Sequence, residues 1–141
     1  MRKLVYFFVP GIPVSEGSTK AFRSASTGRI VVTHDSGRLN PWRRQVAIIA
    51  RKALLGLSID KHGEMALNLK FKLPCPKSKT TLLPPTVRPD LDKLIRAVCD
   101  SLTGIAYKDD SQVVSLHAQK TYVDKGNEGV GVVVSYQELA P

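Results

Sequence analysis

The chain has 141 residues and a formal net charge of +9, from 21 lysines and arginines against 12 aspartates and glutamates. Its 43% hydrophobic content excludes a disordered chain, and no apolar run approaches the roughly 18–20 residues of a membrane span. The length suits a single domain covering residues 1–141. The charge is uneven, because 16 basic and 4 acidic side chains precede residue 90, whereas 5 basic and 8 acidic ones follow from there. A basic body of this kind favours an anionic partner.

The first third of the chain is predicted to contain two strands. Residues 4–9 are rich in β-branched and aromatic side chains and end at a proline, which is typical of a strand. Residues 10–28 are rich in glycine, serine, threonine and proline and predict a loop, followed by a short strand at 29–33. Pro10 and Pro13 interrupt the apolar opening, so we do not interpret it as a signal peptide and expect a cytoplasmic protein.

A first helix is predicted from Asn40 and Pro41 to Gly56. Asparagine can cap free backbone N–H groups, proline fits the first helical turn, and glycine is frequent just after a helix. Six apolar residues recur at three- and four-residue spacing and form one face: Trp42, Val46, Ile49, Ala50, Ala53 and Leu54.

The rest of the chain predicts a strand, a helix and two strands. Alternation over 65–73 marks a half-buried strand, and a proline-rich loop at 74–87 leads to a helix over 90–104. Strands near 112–123 and 129–136 follow, joined by a turn at residues 124–127. The predicted order is β-β-α-β-α-β-β, an α/β (α+β) domain with one mixed sheet and two helices on one face. Its two cysteines are too few for a disulfide framework.

Two pairs of aspartates stand out in the acidic last third. Asp90 and Asp92 open the second predicted helix, while Asp109 and Asp110 precede a predicted strand. Each pair has an ordinary structural interpretation, because aspartate caps helices, suits the positive end of the helix dipole and is common in turns.

The helical spacing also supports a joint interpretation. At 100° per residue, Asp92, Arg96 and Asp100 lie within about 80° of one another on the helix surface. If the chain after the helix returns toward the helix start, Asp110 would lie near Asp90 and Asp92. Three clustered carboxylates need a neutralising cation, and Mg²⁺ prefers oxygen ligands. In a basic protein, such a site favours metal-assisted hydrolysis of phosphodiesters.

The stretch from Arg88 to Val114, RPDLDKLIRAVCDSLTGIAYKDDSQVV, resembles the signature of the RusA family of Holliday junction resolvases. The shared pattern is a D-x-D at a helix start, an aspartate eight residues after the second one, a glycine, and a D-D-x-Q-V strand entry. The resemblance implies a small Mg²⁺-dependent endonuclease of phages, prophages or bacteria, for which Mn²⁺ can substitute. It also implies a homodimer that nicks four-way branched DNA symmetrically, without a nucleotide cofactor or a membrane.

Carried over by position, the resemblance makes Asp90, Asp92 and Asp110 the metal ligands and catalytic carboxylates. The family's catalytic lysine corresponds to Arg96, which is a departure, since arginine can neutralise charge on phosphate but is a poor proton donor. Lys93 stands where the family usually has asparagine.

The remaining assignments concern supporting and DNA-binding residues. We expect Asp100 and Asp109 to support the metal ligands without binding the metal. Basic side chains collectively suit a DNA-binding face, Arg38 among them. The residues assigned to DNA are Lys20, Arg23, Arg29, Lys77, Lys79, Arg88 and Lys93. Trp42 and Tyr107 are candidates for base stacking, although Trp42 fits the core better.

Two other functions remain open at this point. A basic nucleic-acid-binding module without catalysis would use the aspartates only as caps and turns. A metal-dependent hydrolase of small phosphate esters would not need so basic a surface. Other motifs fail, because the loop at 17–20 lacks the order of a phosphate-binding loop, and the three histidines lack zinc-ligand spacing.

Overall fold

A computed structural model describes residues 3–17, 19–34, 37–60, 62–123 and 129–139, with the side chains of 19–22 and 31–34 outside that description. Its elements, in chain order, are β1 (Leu4–Pro10), β2 (Thr19–Arg23), β3 (Ile30–His34), α1 (Leu39–Ala53), β4 (Met65–Leu73), α2 (Leu91–Leu102), a short 3₁₀ helix (Asp110–Gln112), β5 (Val113–Tyr122) and β6 (Gly131–Glu138).

One mixed sheet has the strand order β1-β6-β4-β5. Strand β4 pairs antiparallel with β6 and parallel with β5, so α2 is the crossover between the two parallel strands. Met65 pairs with Val113 and Leu73 with Tyr122. Helix α2 therefore runs opposite to β4 and β5. Its first residue lies at the end of the sheet where these strands finish, and its last residue lies where they begin.

The core lies between one face of this sheet and the two helices. Alternate residues of β4 are buried, from Met65 to Leu73, while the intervening Asn68 and Lys70 are exposed. Trp42 and Val46 of α1 belong to the same buried cluster, together with residues of α2. Each large side chain buried there stabilises the fold by about 1.5–3 kcal/mol. The opposite sheet face carries exposed side chains.

The predicted fold class is confirmed, as are the strands at 4–9, 29–33 and 65–73, within one residue at each end. The prediction of a loop throughout 10–28 was wrong, because β2 lies inside it and pairs antiparallel with β3. Glycine and serine at 24–28 do form a turn, in which Gly28 N donates to Ser24 O. Composition over the whole stretch hid the short strand before that turn.

The start of the first helix differs from its predicted cap, whereas the second begins just after Asp90 as predicted. Helix α1 begins at Leu39 with Arg38 as its N-cap, so Asn40 lies inside the first turn and does not cap it.

The predicted turn at 124–127 lies outside the described residues. Both cysteines are free thiols. In the described part of the chain, no helix combines the length and apolar character needed to span a bilayer.

Candidate active site

Asp90 occupies the N-cap position of α2, yet its carboxylate does not cap the helix. Its backbone is extended, with φ −72° and ψ 136°, and its side chain accepts no hydrogen bond from the first turn. Instead, Asp90 Oδ2 lies 3.6 Å from Lys93 Nζ, with both side chains about half exposed. A surface pair of this kind contributes at most about 1 kcal/mol. Capping therefore does not explain Asp90, and its oxygens remain accessible.

Asp92 and Arg96 continue along the exposed side of α2. Both residues are exposed, and Asp100 two turns further is partly buried. Arg96 makes no ion pair with any residue that the structure describes. The row predicted from helical spacing is therefore present, with a solvent-accessible guanidinium between two carboxylates.

Both aspartates of the second acidic pair are exposed, but only Asp109 caps the 3₁₀ helix. Asp109 caps the 3₁₀ helix, since its Oδ1 accepts from Ser111 N at 2.9 Å. This hydrogen bond holds the pKa of Asp109 below its usual value. Asp110 follows as the first residue of the 3₁₀ helix and is exposed.

Gln112, in the D-D-x-Q-V motif, has a structural role that the sequence interpretation missed. Its Oε1 accepts from the backbone N–H groups of Lys108 (2.9 Å) and Asp109 (3.1 Å). Its Nε2 donates to the carbonyl oxygens of Asp60 (2.6 Å) and Gly63 (2.9 Å). This buried amide thus ties the chain before β4 to the entry of β5 and fixes the position of Asp110.

The structure does not show the expected approach of Asp110 to Asp90 within one chain. Asp110 lies just before the start of β5, whereas Asp90 lies beyond the end of β4, so the two residues flank opposite ends of α2. Twelve helical residues span about 18 Å. The chain after α2 does not return along the helix, because it turns at once and continues directly into β5.

Near the end of α2, the partly buried Cys99 and the fully buried Tyr107 lie in the electrostatic surroundings of Asp110. Tyr107 OH donates to Cys99 O at 2.6 Å. Burial raises the pKa of the Cys99 thiol to about 11, and the charges of Asp100 and Asp110 add to this increase. Burial likewise raises the pKa of Tyr107 above its usual range. The charges of Asp100 and Asp110 therefore act on the same two side chains.

The oxygen donors suit Mg²⁺ chemically, but one chain does not assemble them. Asp90, Asp92 and Asp110 are all exposed carboxylates, the donor type that Mg²⁺ prefers. Among the residues that the structure describes, no three acidic, histidine or cysteine side chains form a group able to hold a metal ion. The metal assignments of these three aspartates therefore stay predictions.

A cavity of about 490 Å³ lies at the N-terminal end of α2, and Asp90 forms part of its wall. Three cationic residues line it as well, namely Arg38, Arg88 and Lys93. The sequence interpretation assigned Arg88 and Lys93 to DNA and included Arg38 in the basic face. The structure brings these three together at the place where the D-x-D motif begins.

Lys120 is a second structural residue that the sequence interpretation missed. From β5, its Nζ donates to the carbonyl oxygens of Val87 (2.8 Å) and Pro89 (2.9 Å). These contacts hold the segment immediately before Asp90 against the sheet. Because Lys120 lies 28 residues after Asp92, spacing alone carried no signal for it.

The other predicted DNA-binding residues lie on two further segments. Arg23 and Arg29 are exposed on the β2–β3 hairpin, and Lys77 and Lys79 are exposed on the proline-rich loop. Lys20 belongs to β2, with its side chain outside the described atoms.

The aromatic residues considered for base stacking are both in the core. Trp42 is 4% exposed and Tyr107 is fully buried. Neither ring is accessible to a base in this structure, so the core interpretation of Trp42 is the correct one and the stacking role suggested for Tyr107 is wrong.

Comparison with known proteins agrees with this arrangement. The family model described as Endodeoxyribonuclease RusA matches residues 10–135, nearly the whole chain. The chain belongs to the RusA endodeoxyribonuclease family. It is also 30% identical over 132 residues to YqaN, an uncharacterised protein of Bacillus subtilis (strain 168), covering 86% of this chain and 89% of that protein. As a RusA-family member, the chain has the fold of an endonuclease that acts on DNA.

Proposed function

We propose that this protein is a Mg²⁺-dependent, structure-selective endodeoxyribonuclease that resolves four-way DNA junctions by paired symmetric nicks. It would act as a cytoplasmic homodimer in DNA recombination and repair. The observation that carries the proposal is the pair of exposed carboxylates Asp90 and Asp92, of which Asp90 makes no capping hydrogen bond, beside a cavity with three cationic residues in a RusA-family chain.

Each residue has a role that follows from its chemistry. Asp90, Asp92 and Asp110 would hold the metal ion, which when bound activates water and polarises the scissile phosphate. Arg96 would neutralise charge that develops on the phosphate, since its guanidinium stays protonated at working pH. The exposed cations of the hairpin and the proline-rich loop would bind the flanking phosphates. Asp109 caps the segment that carries Asp110, and Asp100 would support the helix that carries the other groups.

The test is cleavage of a synthetic four-way junction labelled on opposite strands, with Mg²⁺ or with EDTA. We expect paired nicks with Mg²⁺ and none with EDTA, and loss of nicking in Asp92→Asn. Arg44→Gln is the control, because it removes one exposed charge from α1, away from the three aspartates, and should cut normally. Equal cutting by Asp92→Asn and the parent protein would refute the metal assignment.

The separation of Asp110 from Asp90 leads to a second experiment. The three carboxylates can be brought together either by rearrangement within one chain or between the two chains of the dimer. Inactive Asp92→Asn and Asp110→Asn proteins are unfolded together, refolded and assayed. If the chains share each site, mixed dimers regain one intact site and nick one strand. If each chain forms its own site, the mixture stays inactive.

A non-catalytic nucleic-acid-binding module is the second candidate, favoured by the separation of the carboxylates in one chain. It would show salt-sensitive binding to DNA or RNA with no cleavage under any metal condition. Asp92→Asn would then bind nucleic acid equally or more tightly, because one repulsive charge is removed.

A further inference from the structure

The cavity at the start of α2 has a lining that suits more than a phosphate group. Its polar side includes Arg88, Asp90 and Lys93. The rest of the lining contains Arg38, Ser15 and Gly17 together with apolar residues and the ring of Tyr122. Its further apolar members are Ile12, Pro13, Val14, Leu73, Pro74, Pro76, Val87 and Pro89. At about 490 Å³, the cavity falls within the roughly 300–1,000 Å³ of small-molecule sites.

Both loops that form the cavity are held in place by hydrogen bonds. The loop after β1 is attached to α2, because Glu16 N donates to Lys93 O at 3.0 Å. On the opposite side, Lys120 Nζ holds the carbonyl oxygens of Val87 and Pro89. Val123 N donates to Leu73 O at 2.9 Å and fixes the strand ends beneath. The cavity is therefore formed without a ligand, which lowers the ordering cost of binding.

This lining matches one nucleotide unit of a DNA strand. A nucleotide has a flat, largely apolar base and an anionic phosphate, and the lining of the cavity includes apolar residues, an aromatic ring and cations. A base within a regular duplex is stacked and paired, and cannot enter such a cavity without a cost of a few kcal/mol. At a branch point this cost is smaller, because bases there are already partly unstacked.

We propose that this cavity is a nucleoside subsite that receives one unstacked nucleotide next to the cleaved bond. Its base lies against Tyr122 and its phosphate lies toward Arg88 and Lys93. The inference rests on the proposed nuclease function for its position, since Asp90, a proposed metal ligand, belongs to the same wall. It adds a reason for preferring branched DNA over a continuous duplex, because a branched strand supplies this nucleotide at lower cost.

The test uses single nucleotides and does not require cleavage. ¹⁵N-labelled protein in EDTA is titrated with each of the four deoxynucleoside 5′-monophosphates, and separately with 2-deoxyribose 5-phosphate, which lacks a base. We expect saturable amide shifts centred on Val14, Lys93 and Tyr122 with at least one nucleotide. The sugar phosphate should bind about tenfold more weakly. Equal binding of both probes, or shifts confined to other surfaces, would overturn the proposal.

A pair of tyrosine variants separates base recognition from general effects. Tyr122→Leu keeps apolar volume but removes the ring, and should weaken nucleotide binding about tenfold while leaving sugar phosphate binding unchanged. Tyr6→Leu is the matched control, because Tyr6 is 67% exposed on the open face of the sheet, away from the cavity. Unchanged nucleotide binding by Tyr122→Leu would also overturn the proposal.

The two proposals fail in different experiments. Junction nicking with no nucleotide binding in the cavity would refute the nucleoside subsite and support the nuclease function. Nucleotide binding in the cavity without junction nicking would refute the nuclease function and support a nucleotide-binding site. Thermal unfolding of each variant shows whether the fold is retained. If Tyr122→Leu does not fold, the comparison of nucleotide with sugar phosphate on the parent protein decides the proposal.

Discussion

The aspartates of the D-x-D and D-D motifs differ in whether their carboxylates accept hydrogen bonds from the local backbone. Asp109 accepts from Ser111 N and is fully accounted for as a cap. Asp90 has the same cap position on α2 but makes no capping hydrogen bond. A capping aspartate is worth about 0.5–2 kcal/mol, so leaving that interaction unmade favours another use of the carboxylate. The exposed carboxylate of Asp90, which makes no capping hydrogen bond, is therefore the one that favours a role in binding or catalysis.

Arg96 provides the sharpest residue-scale prediction, because it stands where the RusA resemblance implies lysine. If its role is to neutralise charge on the phosphate, Arg96→Lys should change the cleavage rate by less than about threefold, whereas Arg96→Ala should lower it about 10²–10³-fold. The measurement is single-turnover nicking of a four-way junction with Mg²⁺.

Arg44→Ala is the matched control for that experiment, since it removes an exposed arginine from α1 and should leave the rate unchanged. A rate increase of tenfold or more in Arg96→Lys would contradict the charge-neutralising role. That result would instead assign proton transfer to this position, a task for which arginine is poorly suited.

At the scale of elements, the sequence predicts best where one periodicity extends over a whole segment. The strand Met65–Leu73 follows from strict alternation, and α2 follows from its apolar stripe. The short strand β2 escapes prediction because its pairing with β3 is a contact between segments, which local composition does not encode. The placement of Asp110 fails for the same reason, since it depends on how β5 enters the sheet.

Gln112 illustrates how such a non-local contact is made, and it can be tested by stability. Replacing it with leucine removes four hydrogen bonds and leaves the carbonyls of Asp60 and Gly63 without that donor. We expect Gln112→Leu to lower the free energy of unfolding by about 2–4 kcal/mol, measured by urea denaturation.

Gln119→Leu is the control, because Gln119 is exposed on the same strand and its loss should change the free energy of unfolding by less than about 0.5 kcal/mol. Gln112→Glu removes the donation to Asp60 and Gly63 and should also destabilise. If Gln112→Leu is as stable as the parent protein, these hydrogen bonds do not anchor the entry of β5.

At the scale of the whole molecule, the uneven charge corresponds to positions in the fold. The strongly basic part before residue 90 includes the hairpin and the proline-rich loop, while the acidic last third begins at the D-x-D motif. The cavity lies where the basic part of the chain gives way to the acidic part, and both Arg88 and Asp90 line it. The overall charge alone predicts only an anionic partner, whereas this arrangement predicts where the phosphate backbone lies relative to the carboxylates.

That arrangement predicts a local difference in the salt dependence of DNA binding. Each phosphate contact contributes about −0.9 to the slope of log K against log salt. Removing Lys77 and Lys79, as Lys77→Gln with Lys79→Gln, should make the slope less steep by about 1.8. Binding of a labelled junction would be measured in EDTA at several salt concentrations.

Arg51→Gln with Lys52→Gln removes the same charge from the last turn of α1, about 20 Å from Arg38 at the other end of the helix. We expect this pair to leave the slope unchanged, because its charges do not face the bound backbone. An equal loss of slope in both double variants would mean that DNA responds to total charge only. The proline-rich loop would then have no special role, whereas a loss confined to Lys77 and Lys79 assigns the DNA path to the cavity side of the molecule.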